Sequence, residues 1–339
     1  MKNNQNKRQH YIPRFIFKDF INSRGNVNYY SIKEGSSSKK HSLNVFMKRY
    51  MYKDTSNTDD PLEIEHNLSI LENEIFTLIN SKIKNNEQEI ILTRSELEKL
   101  RIFFAILTFR ANIRKEQYKN NEFNEPTRNI LLKFQPDGDF LSLWKKELLA
   151  LSKCKTYFDI INSKDIDLLI KEDFLVLLKH YFMTFVDTND LEFIIGDVYP
   201  TTEAYPIENN TGLFHMHYIF PISEKRCILL NHVMFLKANS SNPDVFKYLL
   251  RSNIKGDILG EPITSYINNI DWNNPVFDPR DVFKYKVKLL DDNHVKYINM
   301  LMLNEAKEGF IFKHKDKAAP SIEAYNNLPF SKKNNFKNF

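Results

Sequence analysis

Residues Thr93–Tyr118, TRSELEKLRIFFAILTFRANIRKEQY, decide how the rest of the chain is read. Leu97, Leu100, Phe103, Phe104, Leu107 and Ala111 recur at helical spacing, and Ile102, Ile106, Phe109 and Ile113 fill much of the opposite side. The spacing predicts one helix whose middle is apolar nearly all round, and such a helix belongs inside a protein. Thr93 followed by Glu96 has the capping-box spacing, in which each side chain satisfies the other residue's backbone N–H. Arg110 and Arg114, one turn apart, then leave the buried segment on one face, where two guanidinium groups can hold carboxylates or phosphates.

A second helix is expected over 61–84, with Asp60 as its cap, Pro61 at its first position and Glu63 near its positive end. Ile64, Leu68, Leu71, Ile75 and Leu78 form its buried stripe. Beyond the central helix, 139–153 and 163–186 also read as helical by period, and 292–309 as a closing helix bearing Asn299 and Asn304. Residues 243–270 read as largely helical with a break near Gly260. Strands are expected at 28–32, within 42–52, at 192–195, 213–222, 226–232 and 282–290, and Gly35–Lys40 reads as a polar loop.

Helices therefore dominate 60–186, and the strands lie on either side of that block. The expectation is an α+β protein, a helix-rich single unit with a modest, mostly antiparallel sheet built from N-terminal and C-terminal-half strands. Residues 9–325 form its one domain, between a mobile N-terminal tail, 1–8, and a mobile basic C-terminal tail, 326–339.

With 42% hydrophobic and 13% aromatic residues, the 339-residue chain has ample material for a core. Its longest apolar run, Ile102–Phe109, is far short of the roughly 20 residues a membrane span needs, and the first residues hold no apolar signal core, so a cytoplasmic, membrane-free protein is expected. Two cysteines, Cys154 and Cys227, suggest neither a disulfide framework nor a zinc site. A net charge of +5 is compatible with a polyanionic partner such as nucleic acid. Eight glycines form no P-loop or dinucleotide fingerprint.

Several polar residues stand where apolar segments end. His10 precedes the aromatic block QHYIPRFIFKDF, Gln9–Phe20, in which Phe15, Ile16 and Phe20 can pack inward while Arg14 and Lys18 stay wet. Glu65 and Glu72 lie at the edge of the second helix's stripe, about 10.5 Å apart along the axis at about 1.5 Å per residue. Asp197 follows Gly196 on a turn at a strand end. His215 and His217 share one face of a strand, a spacing that can bind a transition metal or simply be polar surface.

QHYIPRFIFKDF resembles the opening His-Tyr-x-Pro-x-Phe block of the bacterial domain-of-unknown-function family numbered 4238. IEHNLSILE, Ile64–Glu72, resembles that family's paired-glutamate helix, and FFAILTFRANIR its arginine-bearing central helix. FIIGDVYP resembles its Ser-Asp-x-Pro turn, FPIS its Phe-Pro-Leu-Ser strand, and VKYINMLMLNEAKEGFIF its terminal Asn-containing helix. Gly196 stands where the family usually has serine, and two residues rather than one separate Asp197 from Pro200. The family implies an architecture and a residue set, and no reaction.

Two functions compete. In one, His10, Glu65, Glu72 and Asp197 are catalytic, with Glu65, Glu72 and Asp197 holding magnesium or manganese. Arg110, Arg114 and Arg14 would then steady a phosphate, as in a metal-dependent phosphodiesterase or nuclease acting on nucleic acid. In the other, the same acidic and arginine residues form a structural ion-pair network, and an interaction or regulatory protein works through its surface.

Overall fold

The central helix stops at Arg110. In the computed structural model, which describes residues 8–206, 213–236 and 251–328, a helix over Arg94–Arg110 gives way at Ala111, where ψ is 145°. A separate helix follows at Asn112–Asn120, so the single helix expected over 93–118 is two. The carbonyl of Phe109 would accept the Ile113 N–H in an unbroken helix. Here it accepts from the Trp144 indole at 3.1 Å, and the Ala111 carbonyl opens the next helix by accepting from Lys115 N–H. Ile113, expected inside, is 51% exposed. Thr93 ends a strand, with the helix beginning one residue later.

In chain order the first elements are β1 (Arg8–His10), β2 (Asn26–Ser31), β3 (Ser36–His41), β4 (Met47–Arg49), α1 (Glu63–Leu78) and β5 (Glu89–Thr93). There follow α2 (Arg94–Arg110), α3 (Asn112–Asn120), α4 (Glu125–Phe134), α5 (Phe140–Lys153), α6 (Tyr157–Asn162) and α7 (Leu168–Lys179). Then come β6 (Tyr181–Asp187), β7 (Ile195–Gly196), β8 (Thr201–Pro206), β9 (Leu213–Pro221) and β10 (Arg226–His232). The last are β11 (Ile263–Ser265), β12 (Val282–Lys286), β13 (Lys288–Leu289), α8 (Asp292–Glu305), β14 (Gly309–Phe312) and α9 (Lys315–Asn326). The protein is α+β, and every strand pairing among the described residues is antiparallel except that of β13 with β6.

Contacts divide the chain into two units. One gathers the described residues up to Pro13 with Phe46–Ser81 and Ser95–Lys179; the other gathers Arg14–Val45, Lys82–Arg94 and the described residues from His180 on.

The first unit is helical, with the short ladder of β1 and β4 beside the helices. α1 begins at Glu63, two residues later than expected, with Pro61 in the turn before it and a π-helical segment, Ile79–Lys84, after it; Asp60 still accepts from Leu62 N–H through its carboxylate and from Glu63 N–H through its carbonyl. Ile64, Leu68 and Ile75 are its buried residues. In α2, nine apolar residues and Arg110 are buried, so the all-round apolar pattern does mark an inside helix. Tyr52 stacks on Trp144 of α5 at 6.0 Å and is itself fully buried.

The second unit carries a five-stranded sheet in the order β13-β6-β10-β9-β8, a four-stranded sheet in the order β3-β2-β14-β7, and a three-stranded sheet in the order β11-β12-β5. Phe193, Ile219, Leu229, Ile298, Met302, Phe310 and Tyr325 share one apolar cluster in it. Asn299 of α8 is fully buried and ties that cluster's polar backbone together: its amide nitrogen donates to Glu192 O and Ser321 Oγ, and its oxygen accepts from Ile194 N–H. Asn304 is exposed.

Several expectations fail here. Residues 181–186 are strand, not helix; of the loop expected over Gly35–Lys40 only Gly35 is turn, the rest belonging to β3, an edge strand paired with β2; and 309–312 is a strand. Of the helix expected over 243–270, residues 243–250 lie outside the described residues, and 251–270 hold only a short 3-10 turn and β11. Arg8, expected in a tail, opens β1. Both expected tails otherwise lie largely outside the described residues, although Asn326 still ends α9.

Candidate functional site

Arg110 is the last residue of α2, 2% exposed, and each of its side-chain nitrogens has a partner. Nε donates to the Tyr52 hydroxyl at 3.0 Å, Nη1 to Glu72 Oε1 at 2.5 Å, and Nη2 to the His10 carbonyl at 2.5 Å. The guanidinium thus ties β1, the segment after β4, α1 and α2 to one point. Gln9 adds a further tie, its Oε1 accepting from Tyr52 N–H at 2.6 Å. Burial alone would lower the arginine's pKa, but Tyr52 and Glu72 more than offset it and leave it above its usual value. Tyr52, buried, is pushed up to about 12 despite the opposing arginine, and stays a neutral hydroxyl.

Glu65, two turns before Glu72, is part-buried and makes no hydrogen bond among the described residues. Burial pushes its pKa up to about 7; the Arg110 charge works against the shift and Glu72 adds to it. Of the residues singled out in the sequence, the structure thus brings His10 (through its carbonyl), Glu65, Glu72 and Arg110 together. Tyr52 and Gln9 belong to this cluster without having been singled out. Nothing local distinguishes either of them, since a tyrosine in an aromatic-rich stretch and a glutamine beside a strand read as packing.

The other candidates stand elsewhere. The break at Ala111 takes Arg114 off the face of Arg110. Its Nη1 donates to Gln117 Oε1 at 2.9 Å, and Nη2 lies 3.8 Å from Asp173 Oδ2. Arg14 belongs to the second unit and donates to Ser42 Oγ at 3.1 Å. Asp197, also in the second unit, accepts from the backbone N–H groups of Lys307, Glu308 and Gly309, at 2.8, 3.0 and 3.3 Å. Burial raises its pKa while those three donors pull the other way. Among the described residues no three His, Cys, Asp or Glu side chains converge on a position that would hold a metal ion.

His217 is fully buried, with Nδ1 2.8 Å from Asn231 Oδ1 and Nε2 3.2 Å from Ser252 Oγ. Because an amide oxygen only accepts, Nδ1 carries the hydrogen and Nε2 faces the serine as an acceptor. Ser252 Oγ also lies 2.8 Å from Glu203 Oε2, so one hydroxyl proton stands between two acceptors. Burial pushes His217 down to about 3, which keeps the ring neutral. His215 instead stacks on Tyr218 at 5.4 Å. The two histidines, read as a metal pair or as polar surface, have separate surroundings, His217 being buried, and Glu203, Asn231 and Ser252, which enclose it, come from distant stretches that no local pattern links.

An α+β protein with a helical unit built around one saturated arginine, and a mixed unit whose turn aspartate anchors backbone, is the class these features define. The chain belongs to the family described as "Protein of unknown function (DUF4238)", which it matches over residues 8–317. No curated protein and no solved structure matches it. No helix among the described residues is long and apolar enough to cross a membrane.

Proposed function

We propose that the helical unit carries a general acid–base centre with Glu65 as its proton-carrying group, in an enzyme that hydrolyses phosphodiesters of nucleic acid. One observation carries the reading: Glu65 is a part-buried carboxyl without a hydrogen bond among the described residues, and its pKa is raised to about 7 by burial. A group half-protonated near neutral pH can take and return a proton with little loss in either direction. Arg110, fully engaged, is a positioning residue: it holds Glu72, Tyr52 and the His10 carbonyl, and its charge limits how far Glu65 rises. A net charge of +5 supports a polyanionic substrate.

Magnesium or manganese would be held in this reading by the Glu72 oxygen that Arg110 leaves free, with substrate phosphate and water, and would supply charge neutralisation there, leaving Glu65, two turns away along the helix, to carry the proton. A ligand set that includes Asp197 has no support, since that carboxylate already accepts from three backbone donors.

A second reading has its own observation. Arg110 is 2% exposed with all three nitrogens engaged, which suits a structural frame in an interaction protein as well as it suits a positioned site. Cleavage of DNA and RNA from pH 5 to 9, with and without magnesium or manganese, separates the two. The enzyme reading expects cleavage whose pH profile has a limb near 7 and which Glu65→Gln abolishes while the variant stays folded. No cleavage of either nucleic acid under any condition would leave the interaction reading in its place.

A further inference from the structure

The helical unit also contains a cavity of about 260 Å³, lined by residues outside the Arg110 cluster. Ligand pockets run roughly 300–1,000 Å³, so this one suits a small molecule. Its floor includes Phe109, Tyr118 and Ile170, which are 6%, 6% and 4% exposed. The Tyr118 ring packs edge-on against Phe109 and Phe123, with centroids 5.9 and 5.0 Å apart. Its hydroxyl makes no hydrogen bond among the described residues, so a side chain more than nine-tenths buried lines the cavity with an unused polar group. Burial, with Glu147 and Asp167 nearby, holds that phenol above its ordinary pKa, and it remains a neutral donor.

Arg114 and Asp173 also line the cavity, and their side chains are 38% and 70% exposed. They stand 3.8 Å apart, too far for a hydrogen bond. Arg114, with Nη1 given to Gln117, and Asp173 therefore form a loose, partly exposed ion pair over an apolar floor, and neither is tied to the other by a hydrogen bond. A simple anion at Arg114 would meet the negative charge of Asp173, and a simple cation at Asp173 would meet Arg114. A molecule carrying both charges on neighbouring atoms matches both.

We propose that this cavity binds a small zwitterion with an apolar body, of the chemical class of an α-amino acid with an aliphatic or aromatic side chain. Its carboxylate accepts from Arg114 and the Tyr118 hydroxyl, its ammonium donates to Asp173, and its side chain rests on Phe109 and Ile170. The site is independent of the acid–base reading of Glu65.

Titration calorimetry and melting of the full chain test this with L-phenylalanine, L-leucine, 3-phenylpropionate, phenethylamine and inorganic phosphate as probes. At least one of the amino acids is expected to bind and raise Tm, with the acid, the amine and phosphate weaker by roughly tenfold or more, because each satisfies only one of the two charges. Arg114→Gln and Asp173→Asn, both at partly exposed side chains, should each weaken that binding by roughly tenfold or more while Tm without ligand stays near the parent's. Tyr118→Phe, which removes only the hydroxyl, should weaken it less. No binding of either amino acid overturns the proposal, as does equal binding of phosphate or 3-phenylpropionate, or binding that survives both charge-removing variants.

Discussion

Nη1 of Arg110 and Oε1 of Glu72 meet at 2.5 Å with the arginine side chain 2% exposed and the glutamate's 24%, so the pair is a largely buried charge-assisted contact between the C-terminal end of α2 and the middle of α1. Such a pair contributes little net stability compared with apolar residues of the same shape, yet removing one partner leaves the other uncompensated. Arg110→Leu strands Glu72 and takes the donor from the Tyr52 hydroxyl and the His10 carbonyl. Chemical denaturation should show a loss of about 3–5 kcal/mol. A variant that unfolds at the parent's denaturant midpoint would mean that this contact does not organise the helical unit.

Glu65 gives a pH-dependent prediction. Its pKa is raised from 4.5 to about 7, so between those values the folded protein holds a proton that the unfolded chain has released. Stability from this group is therefore present at low pH and falls as pH rises through that window. Glu65→Gln cannot ionise. The variant should melt above the parent at pH 8, and the difference should shrink toward pH 4.5. A difference that stays constant with pH would remove the shift.

Asp197 acts in this account as an anchor for the loop between α8 and β14. Asn keeps one acceptor oxygen in place of two, so one or two of the three backbone N–H bonds weaken. Asp197→Asn should cost about 1 kcal/mol, the net worth of a hydrogen bond, because the Lys307 and Glu308 donors can turn to water, and amide exchange at Lys307–Gly309 should speed up. Unchanged exchange at those amides would refute the anchoring role.

Gly309 opens β14 where a side chain has no room. A Cβ there would come within 2.5 Å of the Tyr29 hydroxyl and closer still to the Tyr30 carbonyl, which is backbone and cannot swing aside. Gly309→Ala should lower stability by at least the roughly 1–3 kcal/mol typical of overpacking. A parent-like melting curve would mean that β14 does not pack against β2 as closely as described.

The sequence was legible where one period ran long or one residue carried a clear cap. α1, α5, α8 and the pairing of β9 with β10 emerge close to where periodicity places them. Short buried strands did not: β6 and β14 are apolar on both faces, so they show no alternation, and β6 follows α7 without a glycine or proline between them. β3 failed for the opposite reason. As an edge strand it carries serine and lysine outward and reads as a loop. The break after Arg110 depends on an indole 35 residues away competing for the Phe109 carbonyl, which no local pattern reveals. The pairing of Arg110 with an acidic residue of α1 was readable because a charge at the end of an apolar helix needs a partner. The engagement of Asp197 with backbone was not, because a turn aspartate looks the same whether it faces a ligand or its own chain.

The central claim is that Glu65 carries a proton near neutral pH. Carbon-13 labelling of the glutamate carboxyls, with Glu65 assigned by comparison with Glu65→Gln, allows its titration to be followed in the folded protein. The account predicts a midpoint close to 7; a midpoint near the ordinary 4.5 would contradict it.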